Sequence, residues 1–346
     1  MSPRPVIAAA TLLLTAGCAT FHSGPMPREP AAAHYVQLGD TRVRFTDSGG
    51  DGSPVVLIHG FASSLVVWDG VVPALRGTHR VITLDLRGFG WTDRPAADYS
   101  PGAEAQLVLT LLDHLGVARA DFVAHSWGAS VALAAALRAP ERVARLALYS
   151  AWVYEEQLPT FFVWARAPGL GEFMFDAWYK ERVEDRVVMG YYDPHRVTQQ
   201  LVDDIAAALE RPGTVAAALA AARGQRFAEV EDRYRNVRQP VLLLWGRDDR
   251  VAHLDAGERL STELPNARLS VYPRCGHFPM LEAAAASTRD LAAFLAPPMP
   301  AAAVPATAPV PATGPAPAPA SAAASAPEAA SPPAPEPAST PRDDAP

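Results

Sequence analysis

The chain of 346 residues is long enough to form one large domain or two small ones with a substantial core. Hydrophobic residues make up 49% and charged residues 19%, the balance of an ordinary soluble globular protein. The formal net charge of −7 provides no basic surface for nucleic acid, so we expect no nucleic-acid partner. The two ends of the chain differ in composition from the middle.

The first residues have the composition of an export signal. Arg4 supplies a modest positive charge, and the apolar run over residues 6–14 is too short to span a bilayer as a helix. The stretch Leu14-Thr15-Ala16-Gly17-Cys18-Ala19 resembles a bacterial lipobox, in which the cysteine thiol receives the lipid. An ordinary cleaved signal or an uncut short anchor are the alternatives.

The lipobox resemblance implies a location. Residues 1–17 would be the signal peptide and residues 18–34 a lipidated N-terminal linker, so the membrane would be a partner through Cys18. No aspartate follows the cysteine, which favours the outer membrane of a bacterial cell envelope, facing the periplasm or the surface. Lipidation would leave Cys275 as a lone thiol, without a disulfide.

The C-terminal segment, residues 297–346, consists almost entirely of Pro, Ala, Ser and Thr. Such a composition cannot bury enough apolar surface to offset the entropy of ordering. Its prolines favour an extended polyproline II ensemble. The sequence therefore predicts a disordered tail that carries no chemistry.

Between these ends, apolar runs alternate with helical patterns. Residues 34–47 alternate around Gly39-Asp40 and predict a β-hairpin. Continuous apolar runs typical of buried strands cover residues 54–59, 81–85, 120–123, 143–149, 240–245 and 267–272. Helices are predicted over residues 102–115, 129–137 and 279–295. Alternating strands and helices imply right-handed crossovers and a largely parallel sheet.

Residues 153–238 break this alternation, because they are helical in pattern and rich in aromatic residues. The segment separates two parts of one core, residues 35–152 and 239–296. An insertion between two strands predicts a helical cap over the carboxyl edge of the sheet, where ligands bind in folds of this kind.

The stretch Ala124-His125-Ser126-Trp127-Gly128 stands between a buried strand and a helix of small residues. A strand that turns abruptly into a helix through a serine flanked by small residues is typical of a nucleophile elbow. The helix would begin beneath the serine, with its positive dipole end near a developing oxyanion. The alternative is that Ser126 is merely a helix N-cap.

Acidic and histidine side chains follow two later strands. Asp248 and Asp249 come after the strand at 240–245, and His277 comes after the strand at 267–272. A neutral imidazole can take the proton of a serine hydroxyl, and a carboxylate can orient the imidazole. Cys275 shares a loop with His277 but has no elbow of its own, so we interpret it as a buried filler rather than a nucleophile.

The chain resembles the capped α/β-hydrolases, which include esterases, proline iminopeptidases and carbon–carbon-bond hydrolases. The motifs that carry the resemblance lie within residues 35–296 and are His59-Gly60-Phe61, Asp85-Leu86-Arg87-Gly88-Phe89-Gly90, His125-Ser126-Trp127-Gly128, Gly246-Arg247-Asp248-Asp249 and Gly276-His277-Phe278-Pro279. It implies an α/β fold with a mostly parallel central sheet, flanking helices and an inserted helical cap.

The same resemblance implies site residues. The chain order Ser126, Asp249, His277 is that of the family's triad, with Asp249 preferred over Asp248. Backbone N–H groups of Phe61 and Trp127 would form the oxyanion hole. The family usually has a proline shortly after the acid, where this chain has Ala252-His253.

Other candidates receive lesser roles. We expect His59 to structure its loop rather than act as a base, and Arg87 and Asp93 to brace the next loop through ion pairs. The nine histidines show no ligand spacing, and no phosphate-binding or dinucleotide motif is present. No metal or cofactor is therefore expected.

These features together predict a function. We expect an envelope-anchored serine hydrolase that cleaves an ester or related acyl bond of a small, fairly apolar substrate through an acyl-enzyme. Hydrolysis of a carbon–carbon, amide or peracid-type bond at the same triad is the alternative within enzymes. A catalytically silent envelope lipoprotein with a binding role is the alternative outside them.

Overall fold

The computed structural model describes residues 20–296 of the chain. Eight strands form one sheet in the order β1-β2-β4-β3-β5-β6-β7-β8. The strands are β1 His34–Leu38, β2 Thr41–Asp47, β3 Ser53–Ile58, β4 His79–Leu84, β5 Ala120–His125, β6 Val143–Tyr149, β7 Val241–Gly246 and β8 Ala267–Tyr272.

The sheet is parallel from β4 to β8 and antiparallel at one edge. The strands β1 and β2 form the predicted hairpin, closed by Gly39 at φ +61°, and β2 runs antiparallel to β4. All other neighbours pair in parallel. The prediction of a largely parallel sheet is therefore confirmed.

Helices cover both faces of this sheet and fill the insertion between β6 and β7. They are α1 Val72–Leu75, α2 Pro101–His114, α3 Trp127–Arg138, α4 Thr160–Ala165, α5 Leu170–Trp178, α6 Val183–Met189, α7 Gln199–Leu209, α8 Thr214–Gly224, α9 Leu254–Glu263, α10 Pro279–Glu282 and α11 Ala284–Leu295.

The continuous apolar runs are explained by two cores, one on each face. In β3, Val56 and Ile58 face a core shared with α2, α3 and α9, whereas Val55 and Leu57 face a core shared with α1 and α11. Successive strand side chains point to opposite faces, so a strand covered on both sides is apolar throughout. The sheet is thus buried on both faces, and its loops at the carboxyl edge carry the polar chemistry.

The inserted helices α4 to α8 have a small core of their own. Phe175 and Tyr179 pack there against Leu209 and Leu219. Within residues 20–296 no single helix is long and apolar enough to cross a bilayer; the pair Gln199–Leu209 and Thr214–Glu229, which meets that test jointly by length and composition, is bent by 89°.

The last predicted helix is divided in two. Ala283 takes φ −111° and ψ 36°, outside the α region, and separates α10 from α11. The apolar periodicity of residues 279–295 continues through this position, so it contains no signal for the break.

Residues 20–33, expected to be a linker, lie against the body of the protein. His22 and Arg94 exchange two backbone hydrogen bonds of 2.8 and 2.7 Å. The Gly24 N–H donates to Asp93, and Glu29 forms a two-pronged ion pair with Arg42. These contacts hold the segment in place from His22 onward. Cys18, the expected signal peptide and the expected tail lie outside the described residues.

Candidate active site

The elbow is a strained turn held from several sides. β5 ends at His125, Ser126 has φ +52° and ψ −124°, and α3 begins at the next residue. A positive φ at a non-glycine residue costs roughly 1–3 kcal/mol and persists only where the surroundings enforce it. The Ser126 N–H donates to the Tyr149 carbonyl at 2.9 Å, and its own carbonyl accepts from the Trp152 N–H at 3.1 Å. The strain therefore fixes where the serine hydroxyl emerges.

Gly128 allows the helix to approach the neighbouring strand. A Cβ at this position would lie 2.4 Å from the His59 carbonyl oxygen and 2.8 Å from that of Ile58. No side chain fits at that separation. The glycine of the elbow motif is thus required by close contact between α3 and the end of β3.

Asp249 and His277 form a buried hydrogen-bonded pair. The His277 Nδ1 lies 2.9 Å from Oδ2 and 3.2 Å from Oδ1 of Asp249, and the side chains are 7% and 0% exposed. The carboxylate can only accept, so Nδ1 carries the proton and Nε2 is the basic nitrogen. Oδ1 also accepts from the backbone N–H groups of Val251 and Ala252, which fixes the carboxylate orientation.

Asp248 is directed elsewhere. Its Oδ2 accepts from the Arg274 N–H at 3.0 Å, and it forms no hydrogen bond with His277. His253, in the stretch where related chains usually carry proline, has φ −55°, a value that a proline ring would also impose. The loop therefore keeps the backbone geometry that brings Asp249 to the histidine.

The backbone of His277 is held on both sides. Its N–H donates to the Gly190 carbonyl of the inserted helices at 2.7 Å. Its carbonyl lies 2.9 Å from Nε2 of His125, the residue before the elbow serine. Burial lowers the pKa of His125 well below its usual value, and the nearby His277 lowers it further. Neutral His125 therefore donates Nε2–H to His277, a role that the sequence motif alone does not reveal.

Ser126 is connected to this pair through the preceding residue, His125, whose ring centroid lies 4.7 Å from that of His277. Across residues 20–296, neither the Ser126 Oγ nor the His277 Nε2 forms a hydrogen bond with another residue. Both residues remain slightly exposed, at 7% and 5%. In free enzymes the bond between nucleophile and base is often long and tightens when substrate binds.

The two expected oxyanion donors are available. Trp127 is the first residue of α3, so its N–H has no acceptor within the helix. The Phe61 N–H follows Gly60, where an added Cβ would lie 3.0 Å from the Ser126 Cβ. In the described part of the chain neither amide donates a hydrogen bond. Two free N–H groups, one of them at a helix N-terminus, thus accompany the serine.

His59 braces the loop that carries Phe61. Its Nε2 accepts from the Leu86 N–H at 2.9 Å, so Nδ1 carries the proton and donates to the Gly60 carbonyl at 2.7 Å. Burial lowers its pKa. Both ring nitrogens are occupied, and none is left to act as a base.

Of the two residues expected to brace the next loop through ion pairs, only Arg87 has an acidic partner. Arg87 lies 3.6 Å from buried Glu104; burial raises the pKa of this carboxyl to about 8, so the two form an ion pair when Glu104 is ionised. Asp93 forms no ion pair with any residue of the described range. Its two oxygens instead accept from the backbone N–H groups of Gly24 and Arg42. The expectation that Asp93 forms an ion pair is therefore wrong. Its carboxylate is used instead by two backbone N–H groups of neighbouring segments.

The Cys275 thiol is buried and protonated. Burial raises its pKa to about 12, and the charges of Glu282 and Asp249 act in the same direction. The thiolate is the nucleophilic form, so this cysteine lacks the environment of a reactive one. Its burial agrees with a filler role two residues before His277.

Aromatic rings surround the oxyanion loop. The Phe61 ring packs against Phe89 and Trp127 of the core and against Phe162 and Tyr179 of the inserted helices, at centroid distances of 5.2 to 6.4 Å. The surroundings of the Phe61 side chain are therefore apolar. Among residues 20–296 no three His, Cys, Asp or Glu side chains are grouped so that they could hold a metal ion.

Comparison with known proteins identifies relatives of this arrangement. The family model described as the alpha/beta hydrolase fold matches residues 53–189 and 195–284. A 2-hydroxy-6-oxo-2,4-heptadienoate hydrolase of Pseudomonas putida is 33% identical over 247 residues, covering 67% of this chain and 85% of the relative. A 2-hydroxymuconate semialdehyde hydrolase of a Pseudomonas species is 32% identical, covering 77% and 95%. The structure of a meta-cleavage product hydrolase from Pseudomonas fluorescens aligns with a TM-score of 0.65 and 28% identity, covering 75% and 96%.

Proposed function

The chain belongs to the α/β-hydrolase fold family, and from this premise we propose that it is a serine hydrolase with the triad Ser126, His277 and Asp249. The observations that carry the proposal are the strained turn at Ser126 and the buried Asp249–His277 pair, which His125 joins at the carboxyl edge of the sheet. Curated relatives that act on small organic molecules support an enzymatic role.

The proposed reaction begins with nucleophilic attack. The Ser126 Oγ forms a bond to the substrate carbonyl carbon while its proton passes to Nε2 of His277. The imidazolium is stabilised by Asp249, to which its Nδ1–H already points. The imidazolium then protonates the leaving group, and a water deprotonated by Nε2 releases the acid product and restores the serine.

The negative charge of the tetrahedral intermediate needs donors that do not have to reorganise. The free N–H groups of Phe61 and Trp127 would supply them, with the positive end of the α3 dipole behind Trp127. Removing one such donor costs about 10²–10³ in kcat in a well-studied hydrolase. This is the reason to assign the oxyanion hole to these two residues.

The apolar surroundings of Phe61 favour an ester or related acyl bond of a small, fairly apolar substrate. A second candidate is hydrolysis of a carbon–carbon bond beside a ketone, because the relatives named above act on 2-hydroxy-6-oxo-dienoates and related meta-cleavage products. Both reactions include attack on a carbonyl carbon; in the second, the dienol must first convert to its 2-oxo tautomer, which accepts the electron pair of the broken carbon–carbon bond. They differ in whether His277 protonates oxygen or carbon in the leaving group.

The test is turnover of two substrate sets by the purified full chain. One set is p-nitrophenyl esters of increasing acyl length, and the other is 2-hydroxy-6-oxo-2,4-heptadienoate. Ester turnover that disappears in Ser126→Ala supports the first candidate, and dienoate turnover that disappears likewise supports the second. Well-folded protein that turns over neither set would favour the catalytically silent lipoprotein.

We also propose that Cys18 anchors the enzyme in the bacterial envelope. From Cys18 to His22 four residues can span at most about 14 Å, at roughly 3.3–3.6 Å each. Because His22 is bonded to Arg94, the lipid would hold the body close to the bilayer. Two or more acyl chains are needed for stable anchoring.

The anchor is tested by membrane fractionation of cells. Cys18→Ser should move the enzyme to the soluble fraction or block its processing, whereas Cys275→Ser is the matched control and should leave it with the membranes. Normally cleaved Cys18→Ser protein that stays membrane-bound would contradict the lipobox interpretation.

A further inference from the structure

A short segment of the inserted helices lies directly on the loop that carries His277. We call residues 190–192 the cap segment and residues 276–278 the histidine loop. The Gly190 carbonyl accepts the His277 N–H at 2.7 Å. The Tyr191 ring stacks on the Phe278 ring at a centroid distance of 5.1 Å.

Glu282 joins these two segments through both oxygens of one carboxylate. Oε1 accepts from the Gly276 N–H at 2.9 Å, and Oε2 accepts from the Tyr192 N–H at 2.8 Å. Glu282 ends the short helix α10, just after the histidine loop. One side chain therefore satisfies a backbone donor from each segment.

The contact leaves no space for side chains at its two glycines. A Cβ on Gly276 would lie 2.6 Å from the Gly190 carbonyl oxygen and 2.8 Å from the Tyr192 nitrogen. A Cβ on Gly190 would lie 2.8 Å from the Phe278 ring. The two backbones are in direct contact, so a shift of the cap segment must move the histidine loop.

We propose that Glu282 is a positioning residue, which fastens the cap segment to the histidine loop and so lets the inserted helices set the position of His277. This inference rests on the proposed triad, because it concerns how His277, the base of that triad, is held in position. A misplacement of about 1 Å at such a base can cost a hundredfold in rate.

The surroundings of Glu282 agree with a carboxylate in this role. The pKa of Glu282 is raised above its usual value by burial, although the N–H groups of Tyr192 and Gly276 and the charge of Arg196 act in the opposite direction. Arg196, from the inserted helices, also donates to the Leu281 carbonyl at 3.0 Å. The charge of this carboxylate also raises the pKa values of the Cys275 thiol and the Tyr191 phenol. The ionised form is thus stabilised by the same bonds that hold the two segments together.

The test compares Glu282→Gln with wild-type full chain. Glutamine keeps the size of the side chain but replaces one acceptor oxygen by an NH₂ group, which would face a backbone donor. We expect kcat and the rate of fluorophosphonate labelling to fall by about 10- to 100-fold, with KM changed by less than about threefold. Hydrogen exchange at the amides of Tyr192, Gly276 and His277 should become faster.

Glu155→Gln is the matched control. Glu155 also accepts two backbone N–H groups, those of Phe227 and Ala228, but it does not bond to the histidine loop. The Glu155→Gln enzyme should lose about as much free energy of unfolding as Glu282→Gln, but its kcat should stay within about twofold of wild type. An equal loss of kcat in both variants would reduce the effect of Glu282→Gln to general destabilisation and overturn the proposal.

Gly190→Ala provides an independent route if Glu282→Gln does not fold. It forces the cap segment away from Phe278 without altering Glu282 and should give the same pattern of lower kcat and faster exchange. Unchanged kcat and exchange in a folded variant would also overturn the proposal. If wild type neither labels nor hydrolyses, the proposed triad fails, and amide exchange in Glu282→Gln still decides whether the carboxylate joins the two segments.

Discussion

The serine turn and the histidine loop reach the same site by different means. Ser126 is positioned by the sheet and its immediate neighbours, through the Tyr149 carbonyl and the close approach of Gly128 to β3. His277 is held partly by the core, through His125, and partly by the inserted helices, through Gly190. The proposed nucleophile is thus placed mainly by contacts within the core, whereas the position of the proposed base also depends on the inserted helices.

This difference gives the two halves of the site different sensitivities. A change in the inserted helices should disturb the base and leave the nucleophile in place. A change in the elbow should disturb the nucleophile together with the fold, because the elbow strain is supported by core contacts.

The largest expected effect distinguishes the two adjacent acids on the base side. Asp249→Asn should lower kcat by about 10⁴-fold, the magnitude seen when the acid of a well-studied triad loses its charge, because the amide no longer selects the correct imidazole tautomer. Asp248→Asn, whose carboxylate bonds only to the Arg274 N–H, is the control and should lose less than about tenfold. If steady-state kinetics show the larger loss of kcat for Asp248→Asn, the acid of the triad is Asp248 and not Asp249.

On the nucleophile side, Gly128→Ala should disturb both fold and activity. The added methyl group would meet two backbone oxygens, and forced overpacking costs about 1–3 kcal/mol. Gly102→Ala is the control, because its Cβ would have only the Ser100 Oγ near it, at 3.9 Å. Denaturant unfolding should show a loss for the first variant only, and equal stabilities would refute the packing argument.

The bridge between the two halves is tested with His125→Phe. The ring remains, but the donor to the His277 carbonyl is lost, and an unsatisfied buried carbonyl costs about 1–3 kcal/mol. We expect a loss of stability of that size and a fall in kcat of about tenfold, with fluorophosphonate still reaching Ser126. If stability and kcat are unchanged, His125 does not couple the elbow to the base.

Replacing Cys275 should have little effect on either the serine turn or the histidine loop. With its pKa raised to about 12, the thiolate fraction at pH 8 is roughly 10³-fold below that of an ordinary thiol. Iodoacetamide should therefore alkylate the native protein far more slowly than the unfolded protein, and Cys275→Ala should keep kcat within about threefold. Rapid alkylation that abolishes turnover would instead make the thiol a functional group.

The smallest effect is expected from removing residues 297–346. That composition cannot contribute to a core, so thermal unfolding and kcat should match the full chain. A truncated protein that unfolds at a clearly lower temperature would move the domain boundary beyond residue 297.

The sequence predicted those features whose signals are local. Six apolar runs, a hairpin turn and the elbow pentapeptide are each encoded in a few consecutive residues, and the sheet follows them closely. The contacts of Gly190 and Glu282 with the histidine loop join distant parts of the chain, and nothing in their local sequence announces them. The docking of residues 20–33 on Arg94 was missed for the same reason, because a polar, proline-containing stretch reads as a linker until its partners are known.

The central claim is that Ser126 is the nucleophile, and mapping a fluorophosphonate adduct tests it most directly. Purified full chain should gain one adduct, located by peptide mass spectrometry on the peptide that contains Ser126. Ser126→Ala should gain none, while Asp249→Asn should gain it much more slowly. An adduct on another residue, or one that persists in Ser126→Ala, would contradict the account.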